Sequence, residues 1–171
     1  MKILRNARRK PLPRPGEAAI LFAIGDYSFL IAADEVEEIR DMHGMVSVAT
    51  ATMRTSVAKI KSTVEKAGLT YFVVDGSSHF QLMPSRPTRL MMLRNHPVAV
   101  TVESIDRMTE IGKVLPLPRT FTGPERSWYR GLAITNDKVV PVVNGTAFLT
   151  AAEQVIARAA IAPIVGRGVM A

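Results

Sequence analysis

The sequence predicts a mainly β domain assembled from small barrels. Apolar runs are short, about five residues each, as in "YSFLIA" and "VAVTV". Turn signals separate them at regular intervals: Gly25-Asp26, Asp75-Gly76, Asn95-His96-Pro97 and Asn136-Asp137. Short strands with frequent turns suit small barrels better than a doubly wound sheet. With 47% apolar residues in 171, the chain can bury a real core, as one domain or two very small ones.

The elements follow in order. Three prolines in "KPLPRP" favour an extended leader and stop any helix. Residues 1–16 carry Lys2, Arg5, Arg8, Arg9, Lys10 and Arg14 and no acid. Outside them 16 basic residues meet 15 acidic ones, so most of the +7 net charge sits in this leader. Such a leader solubilises the protein, or attaches it loosely to anionic lipid or nucleic acid. Folding is expected to begin near Glu17, giving a flexible leader over 1–16, a domain over 17–150, and a C-terminal helix and tail over 151–171. "AAILFAI" and "YSFLIA" form a hairpin over 18–32. Asp34 and Glu35 suit the start of a short helical turn, and "VEEIR" resumes an extended pattern.

Residues 53–68 read differently. Val57, Ile60, Val64 and Ala67 recur at helical spacing, lysines lie off that stripe, and Gly68 suits a helix stop, which predicts an amphipathic helix. "LTYFVVDGSSHFQLM" reads as strand, Asp-Gly turn, strand. "TRLMMLRNHPVAVTVESI" gives two strands, and "SWYRGLAITNDKVVPVVNG" two more. Pro141 implies an edge position or a bulge in the last of these. "GTAFLTAAEQVIARAAIA" closes as a helix ended by Pro163.

Catalytic signals are poor. His43, His79 and His96 show no ligand spacing, and the absence of cysteine removes thiolate metal sites and disulfides and fits a reducing compartment. "GSSH" at 76–79 is no nucleophile elbow, and "GRG" at 166–168 is no dinucleotide fingerprint. The acids from Asp34 to Asp41 lack the glycine and alternating ligands of a calcium loop. No enzyme activity, metal, cofactor or small-molecule substrate is expected; a pocket bringing His79 to Ser77 or Asp75 would revive an enzyme. Nucleic-acid binding by a small barrel anchored through the basic leader is the competing reading. It is disfavoured because aromatics make up only 6% and sit mostly in apolar runs, Trp128-Tyr129 beside Arg126 and Arg130 being the one exposed-looking cluster. No apolar run reaches the roughly 18–20 residues of a membrane helix, and no h-region follows the charged start.

"ILFAIGDYSFLIAADEVEEIR" resembles the opening of a CheW-like domain, with Val36, Glu37, Glu38 and Ile39 filling its V-x-E-I segment. "RLMMLRNHPVAVTVESIDRMTEI" is similar to that family's paired strands and V-D-x-V segment, here Val102 to Ile105. "YRGLAITNDKVVPVVNGTAFL" resembles its closing element, with Tyr129, Gly131, Asp137, Lys138 and Pro141 in place. The resemblance spans about residues 18–150. It implies two five-stranded SH3-like barrels related by a pseudo-twofold, with the helix at 53–68 inserted and a groove between the barrels. It also implies a cytoplasmic, non-enzymatic adaptor in a bacterial chemosensory array, on the inner face of the membrane. Its partners would be the regulatory domain of a CheA-type histidine kinase, docked at a barrel end, and the helical cytoplasmic tip of a chemoreceptor, laid in the groove. The partner-binding residues it points to are Val36, Glu38, Ile39, Val74, Asp75, Gly76, Ser77, Tyr129 and Leu132. The middle departs from the family: Val73-Val74-Asp75-Gly76 stands where N-L-R-G is usual, so an acid replaces the coupling arginine. Asn144 stands where aspartate is frequent.

Overall fold

The computed structural model describes residues 11–43 and 55–165, the last four by backbone alone. Strands dominate. β1 (Ala18–Ile24) and β2 (Tyr27–Ala32) form the first hairpin, with Gly25 at φ +59° in its turn. A 3-10 turn at Ala33–Glu35 leads into β3 (Val36–Asp41). β4 (Ile60–Lys66) and β5 (Leu69–Asp75) form the next hairpin, followed by the one-turn helix α1 (Gly76–His79). β6 (Arg89–Leu93), β7 (Val98–Val102), β8 (Ser104–Glu110) and β9 (Lys113–Leu115) come next. β10 (Tyr129–Thr135) and β11 (Lys138–Val143) precede the helix α2 (Ala151–Val165).

The first sheet has six strands in the order β8-β1-β2-β11-β10-β9, one more than expected; the second has five, β3-β6-β7-β5-β4. The two share one pattern. In each, a hairpin (β1-β2 or β6-β7) pairs antiparallel on one side with a single strand (β8 or β3). On the other side it pairs parallel with the second strand of another hairpin, β10-β11, later in the chain, or β4-β5, earlier in it. The chain thus repeats a unit, β1–β5 and then β6–β11, and each unit sends its later strands into the sheet begun by the other.

Both sheets curl, which brings their edge strands toward each other. β8 and β9 are opposite edges of the first sheet, about 24 Å apart if it were flat. Yet Glu110 and Lys113 are three residues apart in sequence, about 11 Å at full stretch. In the second sheet Lys66 on β4 reaches β3 at the far edge, with Nζ 2.6 Å from Glu38 and 3.2 Å from Glu37.

Strict alternation builds the core. Ile20, Phe22, Ile24, Phe29 and Ile31 from the first sheet meet Phe72, Val74, Met91, Leu93, Val98 and Val100 from the second in one shared core. The residues between them face inward in each curled sheet: Ala19, Leu21, Leu30 and Val142 in one, and Tyr71, Val73, Leu90 and Met92 in the other. Apolar runs in the sequence are continuous because the strands are buried on both faces.

The expected helix over 53–68 is replaced by structure of another kind. Positions 53–54 lie outside the described residues, 55–59 are turn and coil, and Ile60–Lys66 is strand. A bulge between Ile60 and Ser62 shifts the alternation, so Ile60 enters the shared core while Val64 faces the other way. The four-residue spacing that imitated a helix is this bulged strand. Ala67 (φ 50°) and Gly68 (φ 77°) make a hairpin turn rather than a helix stop.

"SSHFQLM" forms no strand: Asp75 accepts a hydrogen bond from the Ser78 amide and caps α1 instead. Pro141 is not on an edge strand. β11 lies between β10 and β2, and its pairing with β2 is the Val142–Leu30 register. α2 runs two residues past Pro163 and starts at a capping box, with Glu153 N donating to Thr150 Oγ1 (3.1 Å) and Thr150 N to Glu153 Oε2 (2.7 Å). Residues 11–16 lie on the fold rather than free of it. Pro13 is buried, and Arg130 holds the Pro11 carbonyl (3.1 Å) and the Glu17 carboxylate (3.0 Å).

A Cβ at position 76 would collide with the Thr101 carbonyl oxygen and lie 2.8 Å from Ile24 Cδ1. Gly76→Ala should therefore cost about 2 kcal/mol or more of stability in chemical denaturation. Gly68→Asn, in an open turn at positive φ, should cost less than about 1 kcal/mol.

Candidate partner-docking surfaces

The Val-Val-Asp-Gly segment is structural first. Besides the Ser78 amide, the Asp75 carboxylate accepts from Ser77 Oγ (2.9 Å), Ser78 Oγ (2.6 Å) and Thr101 Oγ1 (3.3 Å). Burial pushes this carboxyl up, but the hydrogen bonds from Ser78, Ser77 and Thr101 outweigh it and hold the pKa below the usual value. The second repeat carries the same device. Val142-Val143-Asn144-Gly145 ends β11, and Asn144 Oδ1 accepts from the Thr146 amide (3.2 Å). Asp75 and Asn144 are equivalent caps in two copies of one unit.

The nine residues singled out from the sequence separate by burial. Val36, Val74, Gly76 and Ser77 are buried, and Asp75 is half-buried in its cap. Glu38 meets Lys66 at the turn end of the β4-β5 hairpin, whereas Asp75 closes the opposite end of β5, so Glu38 and Ile39 do not join Asp75 in one site. Ile39 is exposed. Hydrogen bonds from Arg40 and Lys66 lower the Glu38 pKa to about 2. Tyr129 and Leu132 lie half-buried on β10, and the Tyr129 ring stacks on Phe80 at 6.0 Å. Burial, with Glu125 nearby, raises the Tyr129 pKa to about 12.

Tyr129 opens onto a groove of about 900 Å³ between the loops before β10 and the start of α2. Leu12, Leu117, Pro124 and Leu149 supply apolar walls, and Ala151 and Gln154 one side. A second depression of about 550 Å³ holds Glu37, Tyr71, Arg94 and Arg158. The two share His96. Ala151, Gln154 and Arg158 lie along one flank of α2, so the depressions form a trough beside that helix, walled by both sheets. At the far end of the first sheet, Tyr27 and Val139 are 59% and 57% exposed. The parallel register of Val142 with Leu30 sets them side by side, between turns bearing Asp26 and Asp137. Of the candidate residues named from the sequence, only Tyr129 lines these surfaces. In the sequence Leu12 belongs to the leader and Leu149 to the closing helical segment, whereas the repeated V-V-[D/N]-G is the legible signal for the paired caps.

The structure does not pair His79 with Ser77 or Asp75. Ser77 Oγ donates to Asp75, not to His79. Lys59 Nζ lies 3.3 Å from His79 Nδ1 and 3.3 Å from Glu153, tying α2 to the segment before β4. Because the ammonium only donates, Nδ1 accepts and the ring proton sits on Nε2. The rings of Phe148, Phe80 and Trp128 surround the imidazole at 4.7, 4.8 and 5.1 Å. Burial, and then Lys59, lowers its pKa to about 3. Among the described residues no group of three or more His, Cys, Asp or Glu is placed to hold a metal ion, and no helix is long and apolar enough to cross a membrane.

Two curled sheets around a shared core, with a trough beside α2 and exposed sheet ends, define a mainly β module. The family model described as CheW-like domain matches residues 18–153. The chain belongs to the CheW-like domain family. No curated protein sequence matches it. Among solved structures it is similar to the crystal structure of the scaffolding protein TtCheW from Thermoanaerobacter tengcongensis. That likeness has a TM-score of 0.64 and 15% identity, covers 77% of this chain and 90% of that one, and is a likeness of fold.

Two outcomes are expected. The unfolded state protonates its histidine near pH 6.5, whereas folded His79 stays neutral down to about 3. Its contribution is therefore complete above pH 6.5 and is lost as pH falls from there toward 3, by up to about 1.4 kcal/mol per pH unit. Urea midpoints should fall between pH 6.5 and 5, above the carboxylate range, and His79→Phe should flatten that slope. At position 75, Asp75→Asn should melt close to the parent, as Asn144 implies, while Asp75→Ala should lose about 1 kcal/mol or more.

Proposed function

We propose that this protein is a non-enzymatic adaptor of a bacterial chemosensory system, coupling chemoreceptors to a CheA-type histidine kinase at the cytoplasmic side of the membrane. The observation that carries the reading is the family match over residues 18–153, which spans both sheets. The kinase's regulatory domain docks at the end of the first sheet, where Tyr27 and Val139 offer an apolar centre and Asp26 and Asp137 a polar rim. The receptor's helical tip lies in the trough beside α2, read through Leu117 and Tyr129 and flanked by Arg158. Glu38 and Ile39 on β3 extend that contact. The cap at Asp75 leaves no arginine at the family's usual coupling position, so contact energy comes from the trough and the sheet end instead. The basic leader adds a weak contact with anionic lipid.

Calorimetric titration of the full chain with the kinase regulatory domain from the same genome tests the adaptor role. Binding at about micromolar affinity or tighter is expected. Val139→Asp should weaken it about tenfold or more without lowering the melting temperature, whereas Leu117→Asp should spare the kinase and weaken a receptor-tip hairpin. No binding to either partner would overturn the adaptor reading.

A further inference from the structure

The trough beside α2 carries an unbalanced charge at one end. Among the described residues, the depression of about 550 Å³ is lined by two guanidinium groups, Arg94 and Arg158, and one carboxylate, Glu37. Glu37 is already engaged: Lys66 Nζ lies 3.2 Å from it, and the Tyr71 hydroxyl donates to it at 3.2 Å. Arg94 donates to main-chain carbonyls, Asp34 O (3.1 Å) and Val36 O (3.5 Å), which fixes the guanidinium without neutralising it. Arg158 is exposed and has no hydrogen-bond or ion-pair partner among the described residues.

The helix adds to this imbalance. In the sequence of α2 the charged residues are Glu153 and Arg158, and Glu153 is tied to Lys59 at 3.3 Å. Its trough flank presents Ala151, Gln154 and Arg158, an edge of about 10 Å over two turns. At the Ala151 end the walls are apolar, with Leu117 and Tyr129. The cation there, Arg126, donates to the Phe121 carbonyl (3.1 Å), and Glu125 accepts from the Gly123 amide (2.9 Å). The trough is thus graded, apolar where α2 begins and cationic two turns on. A cleft lined by one sign of charge concentrates ligands of the other sign.

We infer that the trough selects an amphipathic helix that brings carboxylates to Arg158 and Arg94, one to two turns away from the apolar side chains that fill the end at Leu117 and Tyr129. This rests on the reading of the trough as the groove for a helical tip and adds its charge requirement. One to two turns is about 5–10 Å of helix, which matches the offset between the two ends along α2. Arg158 is the specificity determinant: a helix with lysine at the facing position meets like charge and is rejected. A second copy of this chain does not supply the acid through α2, because Glu153 is committed to Lys59. Nucleic acid would satisfy the guanidinium groups and leave the apolar walls at Leu12 and Leu117 in water, so charge and apolar surface together favour an acidic amphipathic helix.

Titration of the full chain with the receptor-tip hairpin from the same genome tests it, with association rates followed as salt is raised. Arg158→Glu should weaken the hairpin about tenfold or more, chiefly by slowing association, and should flatten the salt dependence. Arg158→Lys should stay within about threefold of the parent. Circular dichroism melting and binding of the kinase regulatory domain should not change, since Arg158 is unpartnered among the described residues. Replacing the hairpin's exposed carboxylates by lysine, one at a time, should find one that loses the parent chain and recovers on the Arg158→Glu variant. Weakening by Leu117→Asp with none by Arg158→Glu would overturn the charge requirement and leave the trough reading standing. Indifference to both substitutions, or no binding of the hairpin, would overturn both. A short single-stranded RNA that binds with the same dependence on Arg158 would overturn the helix as occupant.

Discussion

The shared core between the two sheets is the constraint on which the rest depends. Phe22, Phe29 and Ile31 of one sheet meet Phe72, Met91 and Val100 of the other, and neither set has another place to go. Burying each such side chain contributes about 1.5–3 kcal/mol, so the seam outweighs any surface contact in the molecule. Because the intervening residues are also buried inside each curled sheet, the central strands carry no polar positions to spare. The chemistry open to partners is therefore displaced to sheet ends, edge strands and the margin of α2.

That displacement explains the form of the candidate sites. A packed interior leaves little room for a reactive pocket, and the buried polar groups are spent on structure: Asp75 on a cap, His79 on a tie between α2 and the segment before β4. What stays outside is shallow, partly apolar and rimmed with charge, which suits recognition of folded partners better than capture of a small molecule. The curled sheets also present Lys66, Glu37 and Glu38 as a fixed cluster across two edges, which keeps those edges from pairing with other chains.

Much of the fold was legible because its strongest signals are local. The hairpin at 18–32, the positive-φ turns at Asn95 and at Asn136-Asp137, and the order of the family segments all follow from nearest neighbours in sequence. The bulged strand at Ile60–Lys66 was not, since one extra residue turns a period of two into an apparent helical spacing. Ser77 to Met83 misled in a different way: Asp-Gly is a turn signal until an aspartate finds amides to cap. The candidate sites were less legible still. Glu38, Ile39 and Tyr129 could be named from family segments, but the trough depends on Leu12, His96 and Leu149, which are far apart in sequence and meet only when both repeats are in place. Val74 and Gly76 occupy a family contact position, and the fold uses them as core.

The exchange of strands between the repeats governs when the protein can exist at all. β1 and β2 are made before the other strands, and of the strands that flank them β8 follows only after residue 103 and β11 is the last strand of all. The first sheet therefore waits from Ala32 to Val143, about 110 residues of further synthesis, on the order of ten seconds, with "AAILFAI" and "YSFLIA" unpaired at its outer edges. A chain truncated before Val143 holds every strand of the second sheet, which ends at Val102, but cannot complete the first. For that interval the nascent hairpin exposes two unpaired apolar edges, the condition under which a growing chain is most open to aggregation.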